Sequence, residues 1–161
     1  MIVNDLDEFR KLAAGKPIFG LDLGTKTIGV AVSDLLWSVA TPLQTLKKRK
    51  FSQDASALAD LCEERSAGGI VLGLPLNMDG SEGPRVQSTR AFARNLSAHP
   101  RFEALPVTFW DERLSTVAAE RALLEADTSR AKRSEVIDHV AAGFILQGLL
   151  DRIKHLESSA S

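Results

Sequence analysis

Three acidic positions stand where apolar sequence is due to continue. Asp22 lies between Leu21 and Leu23 inside the run from Ile18 to Gly24. Asp111 and Glu112 follow directly on Leu105-Pro-Val-Thr-Phe-Trp110. Asp138 shares a helical face with Ala141, Ala142, Ile145 and Leu149, at spacings of three and four residues. A carboxylate in such surroundings is costly to desolvate unless a cation meets it. Carboxylate oxygens, in place of His or Cys, suit Mg²⁺ or Mn²⁺. Two such ions about 4 Å apart serve in-line displacement at a phosphodiester, one activating water and the other stabilising the leaving oxygen. Each acid alone has a plainer reading: Asp22 as a hairpin cap, Asp111 as a cap for a helix at Ser115, Asp138 as a partner for the helix dipole. The case for chemistry rests on all three together.

The neighbouring residues suit an anionic ligand. Gly24 permits close approach of a phosphate or metal to the backbone, and Lys26 projects a cation from the turn after it. Arg113 can neutralise either adjacent acid or meet a phosphate. The Gly73–Arg85 segment, with Asn77, Gly80 and Gly83, leads from a strand into a helix, where free backbone N–H groups attract anions. It lacks the Gly-Lys-Ser/Thr ending of a P-loop. His139 falls about 100° round the helix from Asp138 and reads as a polar surface residue; no Ser–His–Asp or Cys–His arrangement stands out.

The elements that must position these groups are legible from periodicity. Residues 1–16 read as an appended amphipathic helix with Leu6, Phe9, Leu12 and Ala13 on one face, started by Asp5 and stopped by Gly15 and Pro17. Strands are expected over 18–24 and 27–33, joined tightly at Thr25-Lys26, and over 38–46, with Pro42 at a kink or edge. Helices over 52–65, 85–98, 115–126 and 134–153 alternate with strands over 69–74 and 105–110. Three strands linked by hairpins and then two α/β units predict an α/β domain: a mixed five-stranded sheet, three strands antiparallel and two parallel, with helices on both faces. The expected division is an N-terminal helix over 1–16, one catalytic domain over 17–154 and a frayed tail over 155–161.

The chain has 161 residues, 44% of them hydrophobic and 25% charged, with a formal net charge of −1. That excludes disordered and disulfide-stapled classes and leaves room for one well-buried core. The single cysteine, Cys62, fits a reducing cytoplasm, and no apolar run approaches the length of a membrane span. The near-zero average conceals basic segments: Lys47 to Lys50, four arginines (Arg85, Arg90, Arg94 and Arg101) over an acid-free 85–101, and Arg130, Lys132 and Arg133. On one face they would track a phosphate backbone; scattered, they would not.

The motif from Phe19 to Ser33, with those at 71–83, 110–116 and 138–147, resembles the YqgF family, also called RuvX, of pre-16S rRNA nucleases. The four lie in the expected order over residues 18–150. The resemblance implies a ribonuclease H-like fold related to Holliday-junction resolvases and a role in maturing the 5′ end of 16S rRNA. It further implies that Asp22, Glu112 and Asp138 form the catalytic, metal-binding set. Glu112 is preferred to Asp111 on that analogy alone, since strand parity leaves both open. Substrate contacts are expected at Gly24, Thr25, Lys26, Asn77, Arg85, Arg113, Lys132 and Arg133. The stretch from Arg130 to Glu135 is less basic than the family's usual pattern. The expected partner is nucleic acid, structured RNA ahead of a DNA junction, bound by a monomer or homodimer. Competing readings are a sugar-kinase-like lobe, for which a second copy of the hairpin motif is lacking, and a non-catalytic ribosome-associated module, which gains nothing from acids that repel phosphate.

Overall fold

The computed structural model describes residues 1–114 and 130–160, with the backbone alone for 130–138 and 160. The helix expected over 115–126 lies outside the described residues. Helix α1 (Leu6–Ala13) is followed by strands β1 (Ile18–Leu23), β2 (Thr27–Ser33) and β3 (Ala40–Lys47), then helix α2 (Phe51–Glu64) and strand β4 (Gly69–Leu74). Helix α3 (Pro84–Ala98), strand β5 (Val107–Asp111), a 3₁₀ turn (Glu112–Leu114) and a final long helix α4 (Arg130–Ala160) complete the described chain.

The five strands form one sheet in the order β3-β2-β1-β4-β5. β1 pairs antiparallel with β2, and β2 with β3. The pairings of β1 with β4 and of β4 with β5 are parallel. All six residues of β1 and of β4 are buried, because both faces of these central strands are covered. One face meets α2 and α3 through Leu58, Cys62, Phe92 and Leu96. The other meets α1 and α4 through Phe9, Ala13, Ile145 and Leu149. Glycine lets α4 lie directly on the sheet: a methyl on Gly20 would stand 2.7 Å from Leu146 Cβ and 2.9 Å from the Ala142 carbonyl oxygen.

Two sequence expectations need correction. The N-terminal helix expected over 1–16 covers only Leu6–Ala13, with Met1 to Val3 bonded alongside β5, and Leu12 is 47% exposed, so the buried side of α1 narrows to Phe9 and Ala13, with Leu6 half-buried. α4 starts at Arg130 and runs unbroken to Ala160, so residues 155–160 are helical and not a frayed tail. Pro42 takes the edge position expected of it: it pairs with Ala31 beside a register shift at Val30–Ala31, on the sheet's outer strand, where a missing N–H costs little.

Candidate active site

Asp22 is the fifth residue of β1 and only 4% exposed. Side chains alternate along a strand, so Asp22 shares a face with Gly20, the residue pressed under α4. The parallel register pairs Leu21 with Leu72, which brings Asp22 level with Gly73 at the C-terminal edge of the sheet. Gly73 in turn pairs with Trp110. Two residues beyond Trp110, Glu112 is 6% exposed, and a methyl on Gly73 would stand 2.9 Å from Glu112 Oε2 and collide with Ile145. Gly73 is thus a notch in the sheet that makes room for the Glu112 carboxylate. Sequence reading overlooked it, although an isolated glycine in an apolar strand is a signal of close approach.

Asp111 points elsewhere. Arg113 grips its carboxylate, with Nη2 donating to Oδ2 at 2.7 Å, Nε to both oxygens at 3.1 Å and the Arg113 backbone N–H to Oδ1 at 2.9 Å. The hydrogen bonds from the Arg113 side chain, foremost, hold the Asp111 carboxyl below its ordinary range, and Arg113 is raised in return. Arg113 also reaches the segment after β4, with Nη1 donating to the Met78 carbonyl at 3.4 Å. This segment is organised by its own contacts: the Asn77 amide donates to Ser81 Oγ, and the Ser81 N–H and hydroxyl both donate to Asp79 Oδ1. Gly80 adopts φ +87° there, and a Cβ on it would stand 3.2 Å from Arg113 Nη1.

The turn between β1 and β2 holds the next group of expected residues. The Gly24 N–H donates to the Thr27 carbonyl at 2.9 Å, leaving Thr25 and Lys26 exposed at the tip. Arg85 stands at the start of α3, exposed, with Nη2 3.4 Å from the Leu23 carbonyl. The first turn of α3 carries no acid and begins with Pro84. Gly24, Thr25, Lys26 and Arg85 therefore gather at the β1–β2 turn just beyond Asp22 in the chain, whereas the Asn77 and Arg113 side chains engage the loop and Asp111.

Asp138 is a helical residue of α4 one turn before Ala142, the residue whose carbonyl overlies Gly20. Its side chain, like those of Lys132 and Arg133, lies outside the described residues. Among the described residues no three His, Cys, Asp or Glu side chains form a metal-sized cluster. His139, expected on the surface, is half-buried, and its Nδ1 lies 2.9 Å from Thr45 Oγ1 of β3, tying the start of the described part of α4 to the sheet. The donor chemistry of Asp22 and Glu112, two buried carboxylates on one face, fits a hard divalent cation.

Three antiparallel strands, two parallel ones and a long helix laid across the first strand constitute a ribonuclease H-like fold. The same fold is present in Thermus thermophilus RuvC in complex with a Holliday junction substrate, with a TM-score of 0.52 at 13% identity, over 86% of this chain and 96% of that one. At that identity the likeness is one of fold. The family model RuvX, described as Holliday junction resolvase, matches residues 16–152, and the chain belongs to this family. A Roseobacter denitrificans protein is 66% identical over 155 residues, covering 96% of this chain and 94% of its own length. A Ruegeria pomeroyi protein is 65% identical over 160 residues, 97% of this chain and all of its own length. Both carry the name "Putative pre-16S rRNA nuclease".

Proposed function

We propose that the protein is a divalent-metal-dependent nuclease that hydrolyses phosphodiester bonds in structured RNA, the precursor of 16S rRNA at its 5′ end, in the cytoplasm. The observation that carries this reading is the pair of buried carboxylates, Asp22 and Glu112, set on one face at the C-terminal ends of β1 and β5, with Gly73 of the intervening β4 cut away between them. In open α/β sheets that edge is where ligands bind. The family and the names of its close members supply the substrate.

Asp22, Glu112 and Asp138 would hold Mg²⁺ or Mn²⁺, two ions in the fullest form, which would supply a water of lowered pKa and charge stabilisation at the leaving oxygen. The rest is the work of the chain. The sheet holds Asp22 rigidly, since its neighbours Leu21 and Leu23 are locked in the core. The Gly73 notch and Ile145 fix where the Glu112 carboxylate lies. Arg113 keeps Asp111 ionised and engaged, so the second acid of the pair stays out of the metal set. Lys26 and Arg85 stand exposed at the β1–β2 turn that follows Asp22, where they would meet a phosphate flanking the scissile bond.

Asp22→Asn tests this reading. Wild type should cleave a 16S precursor 5′ segment with Mg²⁺ or Mn²⁺, and the variant should bind the same RNA yet cut at least a hundredfold more slowly. Unimpaired cutting by the variant would sink the carboxylate mechanism. The DNA reading is favoured only by the family's description as a resolvase. A cleaved four-way junction beside intact RNA would establish it in place of the RNA reading.

A further inference from the structure

The described cations differ in whether an acid meets them. Five of the described cations are paired: Arg101 with Asp60 and Glu63, Arg10 with Asp7 and Glu157, Lys11 with Asp7, Arg90 with Glu82, and Arg113 with Asp111. Arg90 also lies over the Phe109 ring, 5.1 Å from its centre. The supposed basic stretch over 85–101 is accordingly dismantled, with two of its four arginines neutralised by acids from elsewhere. Others are not, and six of these lie around the β1–β2 turn. Lys26, Lys47, Lys48, Arg49, Lys50 and Arg85 form no salt bridge among the described residues.

These six are also brought together by the fold. Lys47 closes β3 directly opposite Thr27, the first residue of β2. The Lys48 N–H donates to the Lys26 carbonyl at 2.9 Å, which locks the basic run against the β1–β2 turn. Beyond it, the Arg49 N–H donates to Asp54 Oδ1 at 2.9 Å. Asp54 is the acid nearest in sequence to the run, yet it is 4% exposed and spent on the backbone at the start of α2, so it does not screen the surface cations. Arg85 reaches the same turn from α3 through the Leu23 carbonyl. Lys26, Lys47, Arg49, Lys50 and Arg85 are exposed and Lys48 half-buried.

From this we infer that the β1–β2 turn, the β3–α2 junction and the start of α3 form a phosphate-backbone track that leads one strand of the substrate past Asp22. The inference rests on the nuclease reading for the identity of the polyanion and adds where it lies. The extended junction from Lys47 to Lys50 spans about 10 Å, the axial rise of about three nucleotides of one strand. Such contacts are blind to sequence and set register and affinity. Arg101, on the far side, is by contrast held by Asp60 and Glu63.

The test is equilibrium binding by the full chain carrying Asp22→Asn, in chelator, to a labelled 16S precursor 5′ segment and, in a second arm, to a four-way DNA junction. Adding Lys26→Ala, Lys48→Ala and Lys50→Ala should weaken RNA binding at least tenfold near 0.1 M salt. It should also flatten the slope of log affinity against log salt by about 2 to 3, as expected for three lost phosphate contacts. Arg101→Gln, a change of equal sign on the far side, should leave affinity and slope unaltered. Unchanged binding by the triple variant, or an equal loss from Arg101→Gln, would overturn the track. Weakening confined to the junction arm would overturn its assignment to RNA. Because binding is read without turnover, a failure here is distinct from failure of the carboxylate mechanism, which only cleavage reports.

Discussion

At the residue scale, the instructive pair is Asp111 and Glu112. Adjacent in sequence and equally acidic, they are told apart by what each meets: Asp111 takes Arg113, while Glu112 occupies the space that Gly73 leaves. Neither partner is visible in a linear pattern, because one is a choice among nearby cations and the other lies a whole strand away. Asp22 was legible for the opposite reason: a carboxylate inside an apolar strand is anomalous from sequence alone. The assignment makes unequal predictions for near-identical changes. Glu112→Gln preserves shape and removes charge, so cleavage should fall at least a hundredfold with little change in RNA affinity. Asp111→Asn loosens Arg113 and its hold on the 77–81 turn, so cleavage should fall by about tenfold, within the range for loss of a supporting contact, and faster proteolysis should report the freed loop. Equal losses from both changes, measured as single-turnover rates, would contradict the division of roles.

At the element scale, the strands were read well because each announces itself by an apolar run of strand length bounded by turn residues. β2 and β4 fall where the pattern put them, at Thr27–Ser33 and Gly69–Leu74. The boundaries of α4 were not legible, since its polar ends, from Arg130 and out to Ala160, carry no apolar periodicity to mark them. Its close seat on β1 was equally hidden, being a consequence of Gly20 and the Ala142 turn meeting only in three dimensions. That seat is testable. Gly20→Ala forces a Cβ to within 2.7 Å of Leu146 Cβ and 2.9 Å of a backbone oxygen, and a rigid helix cannot yield as a flexible side chain would. Overpacking of this kind costs about 1–3 kcal/mol, a fall in melting temperature of roughly 2–12 °C for a domain this size. Calorimetry showing no loss would mean that α4 lies farther from the sheet. Because Asp138, proposed above as a metal ligand, rides on the same helix, the variant's metal affinity should fall along with its stability.

At the scale of the whole molecule, one sheet separates two cores, and the central strands β1 and β4 contribute to both. Phe19, Leu21, Ile70 and Leu72 face α2 and α3, while Ile18 and Val71 face α1 and α4. Neither core can dissolve without uncovering these strands, so the described fold should unfold as one unit despite its two layers. Nature has placed a reporter in each. Cys62 lies in the core under α2 and α3, 4% exposed, and burial pushes its thiol up to about 12, so at pH 8 the thiolate needed for alkylation forms only when the core opens. Trp37 and Trp110, the only tryptophans of the chain, belong to the other core. In guanidinium, tryptophan emission and Cys62 labelling should therefore share one midpoint and one slope. Labelling that precedes the fluorescence change would show the α2–α3 layer detaching from an intact α4 layer. The sheet would then be a platform for two independent halves, and the rigid placement of Asp22 would have to rest on α4 alone.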